Sequence, residues 1–491
     1  MENSHQGIHG KLGKRIIYLF LLLLIIADVS YSFVQHLNMP LDGDMAGGIV
    51  PGNDVRPVLE DPFGITVLTK NAVYNNPNRF FAHWTFYNYF KQVPVFLQNI
   101  VKPIDSVYLA CALAKTGIQI LLITLLAFFI TGRRKILRKD FILAAILIVP
   151  LFQTNGYRTY MGIIDPCLTY SFFYALPCAL LLLFYLPFFS TSFYKKAFTK
   201  NLFVLFFLVA LSLFITLNGP LIPGVVLTIS LVFIIKCWMD TYSTNKSMSH
   251  FQRAKVAFKI IPKSHLAFFL LISLLSIYSL YIGSNNSIFL KENVSLVERY
   301  SRIPVGLITI LTQKIGFPIL LLLIGVNLFI IIRGLKNTEG QKIISLFKWI
   351  GIFSLLYILL LPLGGYKSYR PNVIRFDTFM PITIGLIFMY GMSTFFIIRN
   401  IQGKNKKWYL VVITVFALIF TFADQPEFGK NDCEKVALEK IAQSTDNIVL
   451  IGSDCNLLSW EKITDPKVSE LNGQLLKDWN ITSDKKLYYQ K

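Results

Sequence analysis

Long uninterrupted apolar runs, separated by short polar stretches rich in Lys and Arg, set the pattern of this 491-residue chain. Runs of about 17 to 25 residues can cross a hydrocarbon layer of roughly 30 Å as helices, and only helices or closed barrels satisfy their backbone polar groups in lipid. The alternation that would mark barrel strands is absent. The pattern predicts eleven spans, at 16–34, 106–130, 140–152, 168–189, 201–217, 221–238, 264–282, 305–332, 343–362, 379–398 and 408–423. The third is short enough to be half-buried or re-entrant, and Asn218-Gly219-Pro220 marks a tight turn between the fifth and sixth. The fold class is therefore an all-α polytopic membrane protein, with residues 1–423 as the membrane domain. Within it, 35–105 is a long first external loop containing amphipathic helices. Residues 424–491 form a small α/β tail, with a helix-like Cys433–Gln443 before a strand-like 447–452.

Composition agrees: 54% of the residues are hydrophobic and 42 are Phe, far from a soluble domain. A net charge of +21 would point to nucleic acid in a soluble protein, but here most basic residues lie in short linkers, where they set orientation. Placing the N-terminus in the cytoplasm puts about 24 Lys or Arg in cytoplasmic segments, against about 7 in the opposite short loops. The first run follows Lys11, Lys14 and Arg15 and is too long for a signal peptide, so it reads as a retained span. The expected location is a bacterial inner (plasma) membrane, with loop 35–105 and the tail outside. Cys433 and Cys455 share that external tail, where an oxidising compartment permits a disulfide.

Candidate chemistry begins at LNMPLDGDMAGGIVP, where Asp42 and Asp44 flank one glycine just beyond the first span. Asp-Gly-Asp is a common turn. The loop that holds it is far longer than a connection requires, however, and such loops usually exist for function. The loop continues into NPNRFFAHWTFYNYFKQVPVFLQ, where Asn76 and Pro77 are expected to open a helix. Phe80, Trp84 and Tyr87 would share one side of it, facing the membrane boundary, with His83 beside them.

Several cations fall on the external side against the orientation rule: Arg158, then Lys291, Arg299 and Arg302, then Lys367, Arg370 and Arg375 near Tyr369. Arg forks match phosphate oxygens, so Arg158, Lys367, Tyr369, Arg370 and Arg375 are candidate ligands for a lipid-linked phosphate, with His83 and Trp84 from the loop helix. Lipid headgroup contact, or pairing with Asp165, Glu292, Glu298 and Asp377, is the plainer reading. Lys115, an ionisable residue within the second span, is a further candidate, because such residues tend to face a cavity or partner.

This layout resembles the GT-C superfamily of integral membrane glycosyltransferases. The shared features are a cytoplasmic N-terminus, one span, a long external loop opening with Asp42-Gly43-Asp44, many further spans and a small external C-terminal part. The resemblance implies transfer of a sugar from a polyprenyl-phosphate carrier to a glycan, lipid or protein acceptor, with inversion. It implies Asp44 or Asp42 as general base and Arg158, Arg370 and Arg375 on the departing phosphate. Asp-x-Asp also suits a divalent cation, Mg²⁺ or Mn²⁺. A polymerase or ligase acting on lipid-linked glycans and a flippase-type transporter are the competing expectations.

Overall fold

The computed structural model describes residues 2–152, 161–244, 248–290, 294–312, 315–364 and 372–491. Among them, nine helices are long and apolar enough to cross a membrane: Arg15–Leu37, Pro103–Thr131, Leu168–Tyr194, Leu221–Asp240, Lys263–Ser284, Gly316–Gly334, Thr338–Gly364, Phe376–Asn400 and Gly403–Ala423. A further apolar helix, Leu202–Thr216, is shorter. The main body is thus an all-α polytopic membrane protein.

Three helices form the centre of the bundle. Pro103–Thr131, Leu168–Tyr194 and Phe376–Asn400 are mostly buried, whereas Arg15–Leu37, Thr338–Gly364 and Gly403–Ala423 leave most of their length exposed. Exposed Ile16, Phe20, Phe206, Phe329 and Phe422 would be an aggregation hazard in water and are at home in hydrocarbon. Buried polar ties replace hydrophobic driving force between helices in lipid. Asn327 Nδ2 donates to Ser393 Oγ (3.0 Å) and Thr394 Oγ1 (2.9 Å), and its Oδ1 accepts from Tyr409 Oη at 2.8 Å.

Two predicted spans take other forms. Residues 140–152 make a helix, Lys139–Ile148, ending in a 3-10 turn, Val149–Phe152. Ten α-helical residues rise only about 15 Å, and Phe141, Ile142, Ala144 and Ala145 are buried against the bundle. Residues 305–332 divide into Ile303–Thr312 and Gly316–Gly334. The loop helix is Phe80–Leu97, starting later than Asn76 and Pro77 predict. Asn76 adopts a left-handed conformation (φ 52°) and accepts from Asn286 Nδ2 at 3.3 Å, so it serves a turn instead of a helix cap. That helix buries Ala82, His83, Phe86 and Phe90 and leaves Trp84 45% exposed.

The tail has its own core. Strand β1 (Ile448–Ile451) pairs in parallel with β2 (Leu487–Gln490), Ile448 opposite Leu487. The crossover carries the helix Glu470–Asp478, and Leu475, Leu476, Trp479 and Tyr488 are fully buried. Cys433 and Cys455 are joined in a disulfide. Closing a loop of 22 residues' separation restricts the unfolded tail by about 3 kcal/mol. Replacing both cysteines by Ser is expected to lower the tail's stability by about that amount, read as faster cleavage in limited proteolysis; unchanged protection would mean the bridge contributes nothing.

The tail is docked onto the first loop. Trp479 Nε1 donates to the Phe90 carbonyl (2.9 Å), Asn431 Nδ2 to the Leu37 carbonyl (3.0 Å), and the Gly429 N–H to Asn38 Oδ1 (3.0 Å). Glu434, also 1% exposed, is the ionisable tie among them. Its Oε2 accepts from the Leu41 N–H (2.9 Å) and Tyr108 Oη (2.8 Å), and burial pushes its carboxyl up to about 7 despite those bonds. Between the ordinary 4.5 and about 7, the folded protein holds a proton that the unfolded chain releases. Stability therefore falls as pH rises through that window. Glu434→Gln should reduce this slope, measured as thermal unfolding of the purified protein between pH 4.5 and 7.5; a variant with the wild-type slope would assign it to another group.

Candidate functional site

A cavity of about 1240 Å³ opens at the end of the bundle that carries the first loop. Among the described residues its walls come from seven separate segments. The first loop contributes Gly43, Asp44, Asp54, Asn76, Asn78, Arg79, His83 and Phe86, and the helix Leu168–Tyr194 contributes Thr169, Tyr170, Phe173 and Tyr174. Helix ends add Leu221, Leu227, Leu280, Tyr357, Leu360, Leu361 and Leu363; Arg375 and Thr378 come from the start of Phe376–Asn400, and Trp460 comes from the tail. One part of the lining is therefore polar and charged, the other a row of leucines. That division suits an amphiphile.

The two aspartates of the opening motif divide the work that the sequence left undivided. Asp42 is 6% exposed. Its Oδ2 accepts from the Thr169 N–H (3.0 Å), its Oδ1 from the Asp44 N–H (3.0 Å), and the Thr169 hydroxyl lies 2.9 and 3.1 Å from the two oxygens. Burial raises its pKa while the Thr169 bonds oppose the rise. Asp42 thus makes the turn and fastens it to the helix behind. Asp44, released by that turn, is exposed and faces the cavity, where its Oδ1 accepts from Trp460 Nε1 at 2.9 Å. Gly43 allows the close approach: a methyl there would lie 2.5 Å from the Trp460 backbone nitrogen.

Opposite charge is supplied by Arg79. It sits in the turn before the helix Phe80–Leu97, with its guanidinium carbon 5.3 Å from the Phe173 ring centre and 6.0 Å from that of Tyr174. The Asn218-Gly219-Pro220 turn packs on it: the Gly219 N–H donates to the Asn78 carbonyl at 2.8 Å, and Gly219 has φ +99° with space for no Cβ, which would fall 2.8 Å from Arg79 Nε. Among the described residues Arg79 has no carboxylate partner, and its Nε is buried without a hydrogen bond. Asn78 Nδ2 and both ring nitrogens of His83 are likewise buried and unsatisfied. Burial, reinforced by the Arg79 guanidinium, pushes the His83 imidazole down to about 3, so it is neutral at ordinary pH. Native structures leave few buried polar groups unpaired, and these three lie within six residues of one another and line the same cavity. The Arg79 Nε–H, the Asn78 amide and the one N–H of neutral His83 are N–H donors of the kind an anion accepts from.

The remaining predicted residues are distributed as follows. Arg375 lines the cavity, but its Nε and Nη2 donate to Asp377 at 3.0 and 2.9 Å, the pairing that was the plainer expectation. His83 lines the cavity; Trp84 does not, being on the opposite face of its helix. Lys115 is 2% exposed and donates to the Pro166 carbonyl, away from the lining. Arg158, Lys367, Tyr369 and Arg370, with Lys291, lie outside the described residues. Asp42 and Asp44 do not fit a divalent cation as a pair, because both oxygens of Asp42 are taken up by N–H and O–H donors. No group of three or more His, Cys, Asp or Glu suited to a metal occurs among the described residues.

Sequence reasoning missed Arg79, Asn78, Thr169 and Trp460. For Arg79 a signal exists, a cation among the polar residues that open an aromatic amphipathic helix. For Trp460 there is none, since its contact with Asp44 spans 416 residues.

These features define a polytopic membrane protein with an amphiphile-sized cavity, acidic at one wall and cationic at another. The chain matches no protein-family model, and no curated protein is significantly similar to it.

Proposed function

We propose that the chain is a membrane glycosyltransferase of GT-C type, moving a sugar from a polyprenyl-phosphate carrier to an acceptor hydroxyl on the extracytoplasmic face of a bacterial plasma membrane. The observation that carries this reading is the convergence of an exposed carboxylate, Asp44, and a guanidinium with no carboxylate partner among the described residues, Arg79, on one cavity with a leucine wall. The leucines suit the prenyl chain and the Arg79, Asn78 and His83 group suits the phosphate. Asp44 then stands where an acceptor hydroxyl enters.

In this scheme Asp44 removes the proton from the acceptor hydroxyl as its oxygen attacks the anomeric carbon. The bond from that carbon to the phosphate oxygen breaks, and the electron pair leaves on the phosphate. Arg79 holds that charge with neutral donors around it, the electrostatic arrangement expected to contribute most to such a reaction. Arg375, tied to Asp377, supports the far side. Asp42 positions Asp44 through the turn and Thr169.

The topology that goes with this reading has eleven crossings, counting Leu202–Thr216 and the short Lys139–Phe152 segment with the nine long helices. The charge bias of the linkers then places the N-terminus inside and the tail outside. Loss of transfer on replacing Asp44 by Asn, with the chain still inserted, tests the function; an unchanged product would remove Asp44 as base and with it this reading.

A further inference from the structure

The tail does more than cover the first loop. Trp460 is 54% exposed, yet it is fixed: its indole N–H is bonded to Asp44, its backbone lies against Gly43, and its carbonyl accepts from Asn456 Nδ2 at 2.7 Å. The segment before it is anchored by the disulfide at Cys455 and by Gln490 Nε2, which donates to the Ser453 and Cys455 carbonyls at 3.1 and 2.7 Å. Among the described residues the other cavity aromatics are engaged elsewhere: Phe86 packs on Phe90, Phe172 and Phe173, Phe173 and Tyr174 lie under Arg79, Tyr170 packs edge-on against Tyr174, and Tyr357 stacks on Phe353. Among the described residues, Trp460 is the cavity aromatic that stands beside the Asp44 carboxylate with no ring packed on it. It comes from the polar tail, not from the leucine wall, so it meets the water-soluble end of whatever binds.

An open aromatic face next to a carboxylate matches one class of small molecule closely. A sugar ring has a face of C–H groups that packs on an aromatic ring and an edge of hydroxyls that donate to a carboxylate. We propose that Trp460 is a sugar-stacking platform, through which the C-terminal domain forms the carbohydrate subsite of the cavity. The proposal rests on the glycosyltransferase reading for its biological meaning and makes a binding claim that needs no turnover.

The test is saturation-transfer NMR on the full chain in lipid nanodiscs. The probes are the methyl α- and β-glycosides of glucose, mannose, galactose and N-acetylglucosamine, with empty nanodiscs as the blank. At least one glycoside is expected to bind the wild type and Trp460→Phe, and to bind Trp460→Leu about 3- to 10-fold more weakly, the loss appropriate to one aromatic contact. Phe keeps the stacking face and lacks the N–H, so its retention separates stacking from a general disturbance of the tail. Should Trp460→Leu fail to fold, 5-fluorotryptophan-labelled wild type gives the answer directly. The fluorine resonance missing from Trp460→Phe must then shift on adding glycoside. No glycoside bound above the blank, equal binding by Trp460→Leu, or an unmoved Trp460 resonance overturns the proposal. Equal binding by Trp460→Leu with transfer abolished in Asp44→Asn removes the platform alone. Trp460-dependent binding with transfer unaffected in Asp44→Asn removes the enzymatic reading alone.

Discussion

Replacing Asp44 by Asn is expected to cut sugar transfer by about 10²- to 10⁴-fold, the usual contribution of a positioned general base, while leaving the protein inserted and folded. The second half follows from the bonds. Asp44 is exposed, and the one hydrogen bond its side chain makes among the described residues is accepted from Trp460 Nε1. An Asn carbonyl oxygen still accepts that bond. Asp42→Asn gives the opposite pattern, because an amide NH₂ there would face the Thr169 or Asp44 N–H donors. That buried mismatch costs about 1–3 kcal/mol, so Asp42→Asn should lower the amount of folded protein as well as its activity. The measurement is transfer of radiolabelled sugar from a polyprenyl-phosphate donor in membrane vesicles, divided by the amount of inserted protein. Full activity in Asp44→Asn would end the assignment of the base.

Arg79→Met should weaken polyprenyl-phosphate binding by about 10²-fold, as expected when charge-assisted hydrogen bonds to phosphate are removed. Met keeps an apolar stem over Phe173 and Tyr174 and removes the charge. In the ligand-free protein the same substitution should leave thermal stability unchanged or raise it, because it deletes a half-buried cation that has no carboxylate partner among the described residues. The two effects therefore have opposite signs. Arg79→Lys should fall between, retaining charge without the fork. Binding is read as the rise in unfolding temperature on adding polyprenyl phosphate. A wild-type rise in Arg79→Met would show that the phosphate is held elsewhere.

Much of the architecture was legible because lipid imposes a length rule on apolar runs. The rule worked for Pro103–Thr131 or Phe376–Asn400 and weakened at 140–152 and 305–332. In those two segments, hydropathy cannot separate a helix facing lipid from one buried in protein, or one long helix from two. The motif at 42–44 was visible, but the roles were not. Asp42 and Asp44 are chemically identical in the sequence, and a buried Thr 127 residues away decides which one turns inward. Arg79 escaped notice because cations in a long external loop carry no orientation signal, and its one local cue, a place at the opening of an aromatic amphipathic helix, is shared by solvated arginines. Its significance appears only when Gly219 and Phe173 close around it.

Residues Ser171–Ala175 form a single turn of π-helix in the cavity wall. Such a turn contains one residue more than an α-helix needs, so the stretch before it is rotated by about 100° against Leu176–Tyr194. Removing that residue would leave the membrane half of the helix in register and swing Thr169 off Asp42. Evolution, or a protein engineer, thus has an indel site at which the reactive end can be re-aimed while the lipid-embedded scaffold is inherited unchanged.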